Sequence, residues 1–344
     1  MINKKISFLN CFMGKSRGGI EVVMLDYAQA LKNAGYKSEL LTIATKDYTD
    51  YILQSKLKTY LMHSRGYNPL TIAQFAYYLL KSKPDIVFLH GTKAIEFGTC
   101  KFINILFPNI KFIGVSHGVC SSKYKKLKYA VVVTPYLKKC LEQIGVSKVY
   151  HCPNMTGVLN IKKKKSDILT IGTCGRASPS KGFDILLKAL SILAVQHIPF
   201  YCLFAGCEQE KYQNLINKYQ LKNNIKFLGW INDKEKFYNS LDVYCSASRR
   251  EPFGLTIIEA MMCELPIVAT KCMGPNYIVK PSFGILVDIE NPEQLAKALK
   301  ILLNNNRLRE RMGKAARIEA VEYYNKENLS KYLLAICDEI INNT

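Results

Sequence analysis

The stretch Asp242–Thr270, "DVYCSASRREPFGLTIIEAMMCELPIVAT", reads as strand, loop, helix and strand in under thirty residues. The apolar run "DVYCSAS" and the later "LPIVAT" have the length of buried strands, and "GLTIIEAMM" between them has the length of a short helix. Two strands joined by a helix run parallel, because a parallel pair needs a crossover and a helix is the usual one. The loop carries Glu251, and the helix carries Glu259 among Ile257, Ile258, Ala260 and Met261. Carboxylates are almost never buried without a partner, so Glu259 demands one.

The same unit repeats in both directions. Upstream, "DILTIGTCG" leads to "GFDILLKALSILAVQ", "PFYCLFAG" to "EKYQNLINKYQL", and "NIKFLGW" to "DKEKFYNSL"; "FGILVD" follows downstream. In the first half, "KISFLNCF" precedes a helix with Ile20, Val23, Met24, Tyr27, Ala28 and Leu31 at three- and four-residue spacing, ended by Asn33-Ala34-Gly35. "SELLTI", "PDIVFLHG", "KFIGVSHG" and "YAVVVTP" are further buried runs. The segment "NIKKKKSD" interrupts the alternation. The fold class expected is α/β, two doubly wound parallel-sheet domains facing across a cleft. The first spans 1–161 and the second 167–325, with a linker at 162–166 and a C-terminal helix in 326–344 packing back on the first domain. A chain of 344 residues is long enough for two cores. Ligands of such sheets bind at the carboxyl ends of the strands.

Composition narrows the function classes. No run approaches the roughly 18 apolar residues of a membrane span, and the start "MINKKISFLNCFMG" reads as a first strand rather than a leader. The 12 cysteines are scattered without Cys-x-x-Cys or a matching histidine pair, which predicts reduced, buried thiols and no metal site. The net charge of +21 is concentrated: residues 1–164 hold 25 Lys+Arg against 8 Asp+Glu, and 165–344 hold 23 against 19. A basic face attracts nucleic acid or an anionic lipid surface. Zinc-finger, helix-turn-helix and ribonucleoprotein patterns are all missing, which disfavours nucleic acid.

Four clusters fall in strand-to-helix loops. "GKSRGGIE" (Gly14–Glu21) places Gly18 and Gly19 before a helix, where free N–H groups suit a phosphate; a plain tight turn is the alternative. His117 in "SHGV" follows a strand, and structural and functional readings are both open. "GTCGRASPSKGFD" (Gly172–Asp184) offers Arg176 and Lys181 as a guanidinium and an ammonium beside a helix start, the elements of a diphosphate clamp. In the opening stretch, Glu259 suits the vicinal hydroxyls of a ribose or a core ion pair. Glu251 suits hydroxyls of a second sugar or a salt bridge to Arg249 or Arg250.

Cations for a diphosphate flanked by carboxylates for sugars describe a sugar nucleotide. Here the sequence resembles the retaining glycosyltransferases of family four, of GT-B fold and of the bacterial lipopolysaccharide and capsule type. The resemblance covers nearly the whole chain and is strongest over Gly172–Gly182 and Ser246–Thr270, where "EPFGLTIIE" is specific. It implies a hexosyltransferase using a UDP- or GDP-sugar donor, a glycan or lipid-linked acceptor, and no metal or other cofactor. Arg176 and Lys181 would stabilise the departing diphosphate, Glu259 would hold the ribose, and Glu251 the donor sugar, helped by the backbone of Phe253, Gly254 and Leu255. Trp230 and Ile231 would lie at the nucleobase, His117 beside the donor sugar, and Gly18 and Gly19 near the diphosphate and acceptor. Two positions depart from the pattern: Glu264 stands where glycine is usual, and Tyr277 in "GPNYIV" stands where a glutamate is usual. Tyr277 motivates the alternative of an inactive partner that kept the fold. Lys123, Lys125, Lys126 and Lys128 in "SSKYKKLKYA", with two tyrosines and a leucine, predict a cytoplasmic enzyme peripheral on the inner membrane face; a solvated loop is the plain alternative.

Overall fold

The structure, a computed structural model, describes residues 6–14, 18–44, 49–63, 66–162 and 168–342. The chain divides into two compact units, Met1–Asn154 with Lys326–Thr344, and Met155–Asn325.

The first unit is built on seven strands: β1 (Ser7–Phe12), β2 (Lys37–Ile43), β3 (Thr59–Met62), β4 (Ile86–His90), β5 (Lys111–Ser116), β6 (Tyr129–Val132) and β7 (Lys148–His151). Their order is β3-β2-β1-β4-β5-β6-β7 and every pair is parallel. Every residue of β1 and β4 is buried, as expected of strands covered on both faces. The strands β3 ("TYLM") and β7 ("KVYH") were not legible as strands. Both are four residues long and lie at the sheet edges, where one side lacks a neighbour and the apolar run is correspondingly short. Helix Gly19–Asn33 buries Val23, Met24, Tyr27, Ala28 and Leu31. Helix Leu329–Asn342 packs against it, burying Leu333, Ile336, Cys337 and Ile340 along one stripe.

The second unit holds β8 (Thr170–Cys174), β9 (Tyr201–Ala205), β10 (Ile225–Phe227), β11 (Val243–Ser246), β12 (Ile267–Thr270) and β13 (Gly284–Val287). The order is β10-β9-β8-β11-β12-β13, again parallel throughout. One core cluster joins Phe183, Leu186, Leu190 and Leu193 of helix Phe183–Val195 to Leu295, Leu299 and Leu302 of helix Pro292–Leu303. In each sheet the strand order reverses once, between β1 and β4 and between β8 and β11.

Two expectations change. The division falls after Asn154 rather than after 161, because the residues before the lysine run are pinned to the second unit: Lys162 N donates to Asn239 Oδ1 (2.7 Å), and Asn239 Nδ2 donates to Asn160 O (2.8 Å). Of the expected linker, 163–166 lie outside the described residues. The segment "GPNYIV" gives Gly274–Ile278 to helix Met273–Ile278, with Tyr277 half-buried. Finally, the cysteines are not all reduced: Cys120 and Cys140 form a disulfide with Cα atoms 6.2 Å apart, while the other ten are free. Their 20-residue spacing matches no short motif; the fold joins them by bringing the segment after β5 to helix Pro135–Gln143. Glu264, by contrast, is a turn residue as expected. It adopts φ +54°, the left-handed region that favours glycine, just past helix Leu255–Met262, and Leu265 N closes that end on Ala260 O (3.2 Å).

A cross-link closing a loop of this length stabilises by about 3 kcal/mol in the chain-entropy account. Peptide mapping without reductant is expected to recover Cys120 and Cys140 joined. Cys140→Ser is expected to lower the urea midpoint, and dithiothreitol to do the same to the native chain but not to the variant. Recovery of both thiols free from protein purified without reductant would refute the bond.

Candidate functional site

In the second unit the strands β8 and β11 are neighbours at the order reversal, and each ends in a loop that leads to a helix. The loop after β8 carries Arg176, the 3-10 turn Pro179–Lys181, and Gly182 at φ +63°. A Cβ on Gly182 would lie 2.0 Å from Ala247 O, so the two loops approach as only glycine permits. The loop after β11 runs from Ala247 to Gly254 (φ +114°), where helix Leu255–Met262 starts.

Arg249 fastens these loops together. Its Nη1 and Nη2 donate to Asp184 (2.9 and 2.7 Å), its Nη1 also to Pro179 O (2.8 Å), and its Nε to Glu290 (2.7 Å). The backbone N–H groups of Arg249 and Arg250 both donate to Ser180 O (2.8 and 3.2 Å). The guanidinium holds the Asp184 carboxyl below its usual range. Neither Arg249 nor Asp184 was singled out by sequence. Glu251 does not pair with Arg249; its Oε2 accepts from Lys181 Nζ at 2.6 Å. Two residues 70 apart in sequence, singled out for the diphosphate and for the donor sugar bonded to it, therefore meet. Arg176 is exposed in the same loop, and its neighbour Gly175 lies against the stem of Lys181, with a Cβ position 3.0 Å from Cε.

Glu259 is 6% exposed, and its partners are within the chain. Oε2 accepts from Tyr238 Oη (2.7 Å) and Oε1 from Lys234 Nζ (2.5 Å). Of the two readings open for Glu259, the core ion pair is the one this structure contains. Lys234 and Tyr238 lie four apart on helix Lys234–Asn239, a spacing that puts both on one face. That spacing was the available signal, and it was missed. Burial, and then the facing carboxylate, push the Tyr238 phenol well above its ordinary range, so it donates at any working pH. Phe253 is buried, Leu255 and Ile231 are half-buried, and Trp230 is exposed after Gly229.

In the first unit Gly18 precedes helix Gly19–Asn33 with an extended backbone; Lys15–Arg17 of the same loop lie outside the described residues. His117 follows β5, and its Nε2 is 3.1 Å from His90 Nδ1. His90 Nε2 is in turn 3.2 Å from Asn10 Oδ1. The two rings stack with centroids 5.3 Å apart at 19°. Burial lowers both imidazoles, His117 to about 4, so both are neutral near pH 7. His90 and Asn10 sit inside apolar runs and gave no sequence signal.

The lysine-rich segment is the 3-10 turn Ser122–Lys126. Lys123, Lys125, Lys126 and Lys128 are exposed, and Lys123 pairs with Glu96. The expected apolar companions do not join them at the surface. Tyr124, Leu127 and Tyr129 are core residues at 1%, 6% and 3% exposure.

Comparison with known proteins places this arrangement. The model of "Glycosyltransferase Family 4" matches residues 17–155 and that of "Glycosyl transferases group 1" matches 156–319. An uncharacterized glycosyltransferase of Haemophilus influenzae is 27% identical over 93% of this chain and 96% of its own. The lipopolysaccharide core biosynthesis glycosyltransferase LpsE of Rhizobium meliloti is 24% identical over 74% of this chain and 76% of its own. The solved structure of Anabaena HepE in complex with UDP-glucose superposes with a TM-score of 0.83 over 97% of this chain and 100% of that one, at 18% identity. That likeness shows the fold, which is GT-B.

Removing the Tyr238 hydroxyl leaves a buried carboxylate with one fewer donor. A hydrogen bond to a charged group contributes about 1.5–3 kcal/mol, so Tyr238→Phe is expected to lose that much stability in urea unfolding. Wild-type stability in Tyr238→Phe would mean that Lys234 alone satisfies Glu259.

Proposed function

This chain belongs to the glycosyltransferases built from a family 4 domain and a group 1 domain, and we propose that it is a retaining hexosyltransferase. It takes a hexose from a nucleoside-diphosphate sugar, UDP- or GDP-linked, and passes it to a glycan or lipid-linked glycan acceptor. The setting proposed is lipopolysaccharide, capsule or other surface-polysaccharide synthesis, which the kinship with a lipopolysaccharide core enzyme supports. The observation that carries the reading is the Lys181–Glu251 contact at the β8–β11 reversal, with Arg176 exposed in the same loop. Open parallel sheets bind ligands at that kind of position.

In the step proposed, the bond from the sugar anomeric carbon to the diphosphate oxygen breaks. The acceptor oxygen bonds to the same face of that carbon, and the acceptor proton passes to a diphosphate oxygen. Arg176 and Lys181 meet the charge that develops on the leaving group, where fixed cations act most strongly. Glu251, released from Lys181, accepts from sugar hydroxyls, and the N–H groups of Phe253, Gly254 and Leu255 at the helix start complete that subsite. Glu259 accepts the ribose hydroxyls in place of Lys234. Trp230 and Ile231 flank the nucleobase, Gly18 and Gly19 offer N–H groups to phosphate, and His117 contacts a sugar hydroxyl. The charge work is assigned to side chains, so no metal or other cofactor is required.

No described helix is long and apolar enough to cross a membrane. The exposed lysines Lys123, Lys125, Lys126 and Lys128 are proposed to hold the chain on the inner face of the cell membrane as a peripheral cytoplasmic enzyme. The exposed Phe102, Ile105 and Leu106 belong to the same unit and support a lipid-facing role.

Nucleoside diphosphate release from a panel of UDP- and GDP-hexoses is the direct test, and release from none of them with glycan acceptors present defeats the proposal. Arg176→Ala and Lys181→Ala are each expected to lower kcat by roughly 10²–10³ with the melting temperature little changed, and chelator is expected to leave the native rate intact. Native turnover in both variants, or loss of activity in chelator, would remove the assigned roles. Sedimentation with anionic liposomes is expected to weaken with salt and when the four lysines become Ser, at on the order of 1 kcal/mol per lysine. Equal binding to neutral vesicles would refute the electrostatic attachment.

A further inference from the structure

Asn10, His90 and His117 come from three adjacent strands or their ends, β1, β4 and β5, at the order reversal of the first sheet. They form a continuous chain: Ser38 Oγ to Asn10 Nδ2 (3.5 Å), Asn10 Oδ1 to His90 Nε2 (3.2 Å), and His90 Nδ1 to His117 Nε2 (3.1 Å). Asn10 is 0% and His90 1% exposed. The far atom, His117 Nδ1, is buried and has no hydrogen-bond partner among the described residues.

A neutral imidazole carries one proton, so each ring donates at one nitrogen and accepts at the other. Two neutral rings in contact share one proton across the gap, and the direction set at one end propagates to the other. An Asn10 oxygen facing His90 accepts a hydrogen bond from Nε2–H, so the ring's one proton sits on Nε2 and His90 Nδ1 is a bare acceptor. His117 must then donate from Nε2, and its Nδ1 carries a lone pair. The opposite direction needs the Asn10 amide turned over, and it strands a dry N–H at His117 Nδ1. A buried donor without an acceptor is a costly orphan, and orphaned donors are rarer than under-used acceptors. Both ends of the chain therefore favour the same direction.

We infer that Asn10 and His90 are positioning residues that lock His117 as the neutral tautomer protonated on Nε2, so that Nδ1 accepts a hydrogen bond from a hydroxyl of the sugar substrate. An acceptor at that point takes a hydroxyl and repels a phosphate oxygen, so His117 selects sugar over diphosphate and is neither a proton donor nor a cation in the reaction. The inference rests on the function proposed above for the identity of the ligand, whereas the locked tautomer does not.

Two-bond ¹H–¹⁵N correlation spectra of the full chain with ¹⁵N-histidine read the tautomer directly. The chain's five histidines are assigned by single substitutions. His117 is expected to show a protonated Nε2 and a bare Nδ1 in the free protein. UDP-glucose or GDP-mannose, whichever is turned over, is expected to shift Nδ1, and the corresponding free nucleoside diphosphate is expected not to. His90→Gln keeps an acceptor toward His117 and a donor toward Asn10; His90→Phe has neither. The Phe variant is expected to give mixed tautomers and about tenfold or greater loss of kcat, and the Gln variant to restore both. A proton on Nδ1 or a mixed native tautomer would overturn the lock without touching the transfer reaction. A locked tautomer whose Nδ1 ignores the sugar nucleotide, or native activity in His117→Ala, would overturn the substrate contact alone. Equal rates in the Gln and Phe variants would overturn the role of His90.

Discussion

A parallel sheet whose strand order reverses leaves its loops in opposite directions on either side of the reversal, and the space there can be closed only by what the loops themselves carry. In the second unit this constraint is met by backbone. Gly182 lets its loop come within contact of Ala247 O, and Gly274 lets helix Met273–Ile278 approach Phe253 O, where a Cβ would lie at 1.9 Å. Gly274 N donates to Glu251 O (2.8 Å), so the residue that meets Lys181 is itself fixed through its carbonyl. Arg249 then spans Pro179, Asp184 and Glu290 with one planar fork, a task that the single ammonium of lysine would not perform. The loops that carry Lys181 and Glu251 are thus held by contacts that need no ligand.

The two carboxylates of that region are already paired before anything binds. Glu251 has Lys181, and Glu259 has Lys234 and Tyr238. Glu259 is buried and would pay a large desolvation cost if left alone, so its partners Lys234 and Tyr238 are a condition for the fold, whereas Glu251 is only partly buried and can lose Lys181 to water. They also define what a ligand can do there. In the binding mode proposed above, hydroxyls exchange for Lys234 at Glu259 at modest net cost, because Lys234 is half exposed and would return to water. Tyr238 is buried and stays, fixing one oxygen of the carboxylate while the other is exchanged. Lys181, once separated from Glu251, is left with a charge that suits a diphosphate. Under the proposed function, a site of this kind would take a molecule that carries both an anion and hydroxyls.

Much of this was legible in the sequence, for a physical reason: strands buried on both faces read as unbroken apolar runs, so β1, β4, β8, β11 and β12 stood out. The edge strands β3 and β7 did not, being short and half-polar. That Glu259 needed a partner followed from its neighbours. Which partner did not follow, because Lys234 lies 25 residues away and only the register of helix Lys234–Asn239 against helix Leu255–Met262 brings it close. Lysine spacing in "SSKYKKLKYA" announced a basic surface correctly, and the run "YAVVVTP" already placed Tyr129 in a buried strand, while the fate of Tyr124 depended on a 3-10 turn whose period no short segment reveals. The Cys120–Cys140 bond is tertiary in the same sense.

The two units apply one topology to different chemistry. At the reversal of the second sheet the strands end in charged groups paired across loops. At the reversal of the first they end in a buried, neutral chain of amide and imidazoles, although that half of the sequence holds nearly all the excess positive charge. The excess is therefore a property of its surface, where Lys125, Lys126 and Lys128 are exposed, and not of its strand ends. A dry neutral relay transmits a direction of hydrogen bonding without a net charge, and burial keeps it so: an imidazolium at either ring would face the other ring's nitrogen at 3.1 Å in a place that disfavours charge. On the proposals made above, attraction toward an anionic surface and discrimination among hydroxyl-bearing groups would fall to separate parts of the same unit, so that neither depends on the ionisation of the other.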